Sequence, residues 1–292
     1  MSQYALFLGC NIPARVNQYD VAARAVLNRL GIELVDIREF GCCGYPMRNS
    51  DPLAFLLSAA RNLALAEEAD LDLLVLCQCC YGSLKKAQAL MTETGELQNR
   101  VHRLLKKNGT AYTGTVKIKH LLSVLYHDVG IESLKPHIRK PFEGLDIATH
   151  YGCHLLRPAN VTRFDDPVSP TLIDELVEAT GAKSVAWQLK LECCGGPVTG
   201  IDDDLSAKLT RSKLISAKKA GAQYVCTACP YCHIQFDTVQ RMILSDNGGM
   251  DPLPTVLFPQ LLGLGMGIPG DMLGIGDNEL DIGKITSFLT QE

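Results

Sequence analysis

Cys193-Cys194-Gly195-Gly196-Pro197, with an earlier copy Cys42-Cys43-Gly44-Tyr45-Pro46, is the stretch on which the reading of this chain turns. Two adjacent cysteines make a poor structural disulfide, because neighbouring side chains on an extended backbone point apart. Each pair follows a lone cysteine and precedes a Cys-x-x-Cys. In the first set 31 residues separate Cys10 from Cys42-Cys43, and 33 more lead to Cys77-x-x-Cys80. In the second, 39 residues separate Cys153 from Cys193-Cys194, and 34 lead to Cys229-x-x-Cys232. Matching cysteines are offset by 143, 151 and 152 residues in a chain of 292. That is an internal duplication, with a period too long for a solenoid repeat.

Working outward, every cysteine group closes a strand candidate. Residues 4–9 lead to Cys10, residues 32–36 precede Cys42, and residues 73–76 end at Cys77. In the second half the corresponding runs are 146–151, 185–189 and 223–225. Apolar residues at helical spacing occupy the intervals: 19–30, 53–68 with Asp51 as a cap, a helix opened by Cys80, and 121–129. They continue at 171–182, 202–220 and 232–244; the acidic start Asp202-Asp203-Asp204 suits a helix N-terminus. Strand and helix in alternation predict an α/β fold of two similar Rossmann-like halves with mostly parallel sheets. Ligands of such sheets sit beyond the C-terminal strand ends, which is where all six cysteine groups fall. Residues 133–145, with Lys135-Pro136, Lys140-Pro141 and Gly144, read as a link, giving domains 1–140 and 141–292.

Composition narrows the classes. An apolar content of 47% and a charged content of 21% describe a globular protein with a sizeable core. The net charge of −4 leaves no electrostatic footprint for nucleic acid. The N-terminal apolar run lacks a positive leader and ends at Gly9-Cys10, so it reads as a strand and not a signal peptide. Residues 257–275 are broken by Pro259, Gln260, Pro269 and Asp271 and predict no membrane span. They offer an apolar surface for a partner, or an ordinary core helix. The expectation is a cytoplasmic protein, in which twelve cysteines point to metal and not to a disulfide scaffold.

Soft thiolates select zinc, copper(I) or iron–sulfur clusters. Four ligands at short spacing would favour structural zinc. Five per half, at long intervals and with an adjacent pair that reaches two different metal atoms, favour an iron cluster. Cys226-x-x-Cys229 offers a competing register. Cys229 and Cys232 are preferred because Cys232-His233 matches Cys80-Tyr81 ahead of a helix. Cys79 and Cys226 are then left over and read as inert buried thiols.

The two sets, together with Phe7-Leu8-Gly9-Cys10, Ala59-Ala60-Arg61-Asn62-Leu63, Cys80-Tyr81-Gly82-Ser83-Leu84 and Tyr151-Gly152-Cys153-His154, resemble the CCG-domain family. From Cys10 to about Gly267 the chain is similar to the B subunits of heterodisulfide reductases. The resemblance implies one noncubane [4Fe–4S] cluster per set. One is held by Cys10, Cys42, Cys43, Cys77 and Cys80, the other by Cys153, Cys193, Cys194, Cys229 and Cys232. It implies reduction of the coenzyme M–coenzyme B disulfide to two thiols. It also implies two kinds of partner: a ferredoxin-like C subunit with two cubane [4Fe–4S] clusters, and a flavin-containing A subunit with an associated hydrogenase or formate dehydrogenase. No nucleotide fingerprint of this chain's own is present. Two sites suit a substrate with two sulfurs placed between them. A proton donor is then needed, and His154, next to Cys153, is the candidate. Arg15, Arg48 and Arg157 follow cluster cysteines and are candidates for anionic groups of the substrate. The competing readings are a related complex acting on a different disulfide, an electron-relay or scaffold protein, and a zinc-stabilised binding protein.

Overall fold

The structure is a computed structural model that describes residues 2–245 and 251–290. Among the described residues eight strands form two separate four-stranded sheets. In the first, β1 (Gln3–Phe7), β2 (Glu33–Val35), β3 (Asp72–Val75) and β4 (Ile118–His120) stand in the order β2-β1-β3-β4. In the second, β5 (Asp146–His150), β6 (Lys183–Ser184), β7 (Tyr224–Thr227) and β8 (Thr255–Leu257) repeat it as β6-β5-β7-β8. All pairings within the two sheets are parallel, with Leu6 opposite Leu74 and Ala148 opposite Val225. The central strands are buried on both faces, as a parallel sheet covered by helices requires. The expected α/β duplication is therefore the observed architecture.

Local devices are repeated too. Asp51 accepts a hydrogen bond from the Ala54 N–H at 3.0 Å, and Asp202 accepts one from Leu205 at 2.9 Å. Each caps a 17-residue helix, Pro52–Glu68 and Asp203–Lys219. Ahead of these caps, Gly44 and Gly195 adopt φ of 81° and 99°. A Cβ on Gly44 would lie 2.7 Å from the Phe55 carbonyl, and one on Gly195 would lie 2.6 Å from that of Ser206. Glycine lets each Cys-Cys loop lie flat on the helix that follows.

Several expected elements differ. The strand expected at 185–189 is only Lys183–Ser184. Val185 still donates to the Ile147 carbonyl, but the chain then leaves the sheet and Trp187 Nε1 closes the edge on the Thr149 carbonyl. Cys77, not Cys80, stands at the N-cap of the helix Gln78–Met91, so Cys79 and Cys80 lie in its first turn. Residues 121–129 begin as an α-turn and widen into a π-helix, Val124–Val129. The linking segment is fastened: Arg139 and Lys140 donate to Gly265, and Phe142 donates to Thr180. The apolar run after Leu257 is core as far as Met266. Phe258, Leu261, Leu262 and Met266 are buried, and Met272 is the exposed large apolar side chain. Among the described residues no helix is long and apolar enough to cross a membrane.

The halves are knit together. The helix Asn17–Arg29 packs on the helix Phe258–Gly265. From it the buried Tyr19 hydroxyl reaches two carbonyls at 2.9 Å, Leu76 at the end of β3 and Ala228 beyond β7. Cys77 and Cys229 are the next residues after these two carbonyls.

Candidate metal centre

All twelve cysteines are free thiols. Cys10, Cys42, Cys43, Cys77 and Cys80 line one small cavity at the C-terminal ends of β1 and β3, and Cys79 joins them. Cys10 and Cys42 are exposed while Cys43, Cys77 and Cys80 are buried, so this site opens to the surface on one side. In the second site Cys153 and Cys193 are half-buried and Cys194, Cys229 and Cys232 are buried. Cys194 and Cys232 bring their Sγ atoms to 3.4 Å, and His150 Nε2 lies 3.2 Å from Cys232 Sγ. The Gly44 N–H donates to Cys42 Sγ and the Gly195 N–H to Cys193 Sγ, both at 3.4 Å. The two loops thus present their first sulfur in the same way.

The sulfurs of each group perturb one another. Cys43 is held well below the usual thiol range by Cys42 and then Cys80, while Cys42 is pushed up. Cys193 is pulled down to about 2 by Cys153 and Cys194, while Cys153 rises. Crowded, unpaired sulfurs, of which Cys43, Cys193 and Cys229 are drawn toward thiolate, are the donor set of a thiophilic cation. Five soft donors per site suit iron–sulfur better than a four-coordinate ion. The residues present therefore fit the group expected.

The sites meet at a seam. The Sγ atoms of Cys77, Cys79 and Cys229 lie within 4.8 Å of one another, drawn from both halves. His154 stands beside them, its Nδ1 3.4 Å from Cys153 Sγ and 3.4 Å from Cys79 Sγ. Its ring is edge-on to Tyr45 at 5.1 Å, and burial lowers its basicity. Next to the first site a cleft of about 570 Å³ runs between Tyr45–Asn49 of one loop and Gly196–Ile201 of the other, floored by Tyr231 and Gln235. Arg15 and Arg48 line it, and Arg48 stacks over Tyr45 at 5.0 Å. No carboxylate is among its lining residues. Arg157 is exposed and is not part of this lining.

Some site residues escaped the sequence reading. Buried His150 ends β5 and meets a ligand candidate through space; a histidine closing an apolar strand three residues before Cys153 was the available signal. Lys213 is also buried, with Nζ over Trp187 at 4.7 Å, donating to the carbonyls of Leu189 and Glu192. Burial pushes it down to about 8. It pins the loop that delivers Cys193, and nothing in the pattern of its helix announced it.

Fold and site together define a cysteine-rich α/β protein with a duplicated thiolate centre. The cysteine-rich CCG domain pattern matches residues 4–85 and again 147–237. The B subunit of the ferredoxin:CoB-CoM heterodisulfide reductase of Methanosarcina mazei is 38% identical over 282 residues, covering 95% of this chain and 94% of the relative. A B subunit from Methanosarcina acetivorans, of a ferredoxin/F(420)H(2)-dependent enzyme, is 36% identical, covering 96% of this chain and 94% of that one. The membrane anchor subunit of 8-methylmenaquinol:fumarate reductase from Wolinella succinogenes is 34% identical over 97% of this chain and 99% of its own. The chain belongs to the CCG family of cysteine-rich proteins, in the group that contains the heterodisulfide reductase B subunits. A crystal structure of a hypothetical protein from Helicobacter pylori shares the fold, with a TM-score of 0.76 at 17% identity. The match takes in 96% of this chain and 52% of the Helicobacter chain, so this chain spans about half of that one.

Proposed function

We propose that this chain is the catalytic iron–sulfur component of a heterodisulfide reductase complex, acting on the coenzyme M–coenzyme B disulfide. The observation that carries the reading is the convergence of two cysteine quintets, from facing strand ends, beside a cleft with two arginines and no acid. Cys10, Cys42, Cys43, Cys77 and Cys80 would hold one noncubane [4Fe–4S] cluster. Cys153, Cys193, Cys194, Cys229 and Cys232 would hold the other. Such centres, when bound, supply the two electrons by which a disulfide, taking up two protons, becomes two thiols.

The chain's own residues do the rest. Arg15 and Arg48 face the cleft and would orient the anionic ends of the substrate. Tyr45 and Tyr231, with ring centres 6.1 Å apart, flank its inner end. His154 is the proposed proton donor; its Nδ1 faces the sulfurs of Cys153 and Cys79, and burial lowers its basicity. Arg157, lying away from the cleft, is the weakest of the three arginine candidates. Electrons would arrive, in the cytoplasm, from a ferredoxin-like C subunit with two cubane clusters. A flavin-containing A subunit with its hydrogenase or formate dehydrogenase would feed that relay. The link after residue 140 would divide the two CCG domains.

A second reading is favoured by the Wolinella relative, which is part of a fumarate reductase. In it the same centres relay electrons without cleaving a disulfide. One assay separates the two. Anaerobic protein of known iron and sulfide content is given a viologen donor and the coenzyme disulfide. Two thiols per two electrons support catalysis. Full cluster content with no thiol produced, while both centres still reduce, would establish the relay.

A further inference from the structure

Cys79 belongs to neither quintet, yet its surroundings are those of a ligand. It is 5% exposed and sits in the first turn of the helix Gln78–Met91, directly before Cys80. Cys79-Cys80 is therefore a third adjacent pair, beside Cys42-Cys43 and Cys193-Cys194. Cys79 borders the cavity formed by the first quintet. Its Sγ lies within 4.8 Å of the Sγ atoms of Cys77, from its own half, and Cys229, from the other. It also lies 3.4 Å from His154 Nδ1, which stands equally close to Cys153. One side chain thus has neighbours in both quintets. Cys226 supplies the contrast. It lies inside β7, in register with Thr149 and Val256, and burial raises its thiol, as expected of a packed apolar group.

Resting on the iron–sulfur reading above, we propose that Cys79 is an eleventh sulfur ligand, binding as a thiolate an iron of the first set beside Cys77, at the seam where Cys229 of the second set approaches. Thiolate–metal bonds of about 2.3 Å place two sulfurs on one ion roughly 4 Å apart, the scale of this triangle. Ligation exchanges the S–H bond for an S–Fe bond and releases one proton to solvent; no electron is moved. The consequence is a shared sulfur wall, so that a change at one centre is felt at the other.

The test compares anaerobic wild type, C79A, C79S and C226A, all loaded with iron and sulfide in the same way. Iron and sulfide are counted, and low-temperature EPR is recorded across a potential titration. C79A and C79S are expected to shift the EPR lines and the midpoint of at least one centre, whereas C226A superimposes on wild type. Should C79A not fold, C79S, nearly the same size, carries the comparison. EPR lines and midpoints of C79A or C79S that coincide with wild type at equal iron content overturn the proposal. A wild-type protein without iron and sulfide defeats the iron–sulfur reading itself, before any variant is made.

Discussion

Tyr19 and His120 act on the same pair of strand ends. The Tyr19 hydroxyl reaches both the Leu76 and the Ala228 carbonyls, each one residue ahead of a cysteine. Tyr19→Phe keeps the ring and removes the one proton the hydroxyl shares between them; the Leu76 carbonyl keeps His120 while the Ala228 carbonyl loses this donor, a cost of about 1–3 kcal/mol. Denaturant unfolding checks it; a change below about 0.5 kcal/mol would show that the hydroxyl is dispensable. His120 donates from Nε2 to the Leu76 carbonyl at 3.1 Å and accepts from the Leu122 N–H at Nδ1. Burial pushes its imidazole down to about 4. Its folded pKa thus lies below the unfolded value near 6.5, so on acidification the unfolded chain takes the proton first. The stability at stake is whole above pH 6.5 and is lost progressively toward pH 4, about 3 kcal/mol in all. His150, also driven well down by burial, acts in the same direction. In His120→Gln the dependence of unfolding free energy on pH across 4–6.5 should flatten by one proton's worth. An unaltered slope would mean that His120 titrates alike in both states.

At the scale of elements, the paired caps matter. Asp51 and Asp202 do the same work at the start of equivalent helices that brace the two Cys-Cys loops. Asp51→Ala and Asp202→Ala should each cost about 1 kcal/mol, and Asn at either position should restore most of it. Because the caps sit in different halves, the double variant should lose the sum. Thermal unfolding of the four proteins measures this, and strong non-additivity would contradict independent caps. Both caps sit where the sequence pattern places helix starts, since Asx residues ahead of an apolar periodic run are a local signal. The short β6 was not legible. Val185 to Leu189 alternates like a strand, but the edge on which it would pair is taken by the Trp187 indole N–H.

For the whole molecule, the helix Asn17–Arg29 is shared property. It packs under the first sheet and against Phe258–Gly265 of the second half, and Gln18 reaches His233 and the Asp277 carbonyl. Duplicated halves of this size often fold alone. Here the shared core predicts one cooperative transition for the full chain and none for residues 1–140 expressed by themselves. Circular dichroism with urea decides; a sigmoidal transition in the isolated half would contradict the shared core.

Residue order alone determined the duplicated α/β architecture and the ten thiols gathered at strand ends. Both depend on short-range periodicity and on where each cysteine falls relative to its strand. Tertiary packing decided the partnerships. Cys79 and Cys226 are alike on paper, but one lands at the seam and the other within a sheet. Arg48 and Arg157 each follow one of the cysteine groups, yet of the two only Arg48 lines the cleft. Contacts between the halves join residues far apart in the chain: His154 meets Cys79 across 75 positions and His233 meets Gln18 across 215. No local pattern encodes such distances, because they are set by how two finished sheets dock.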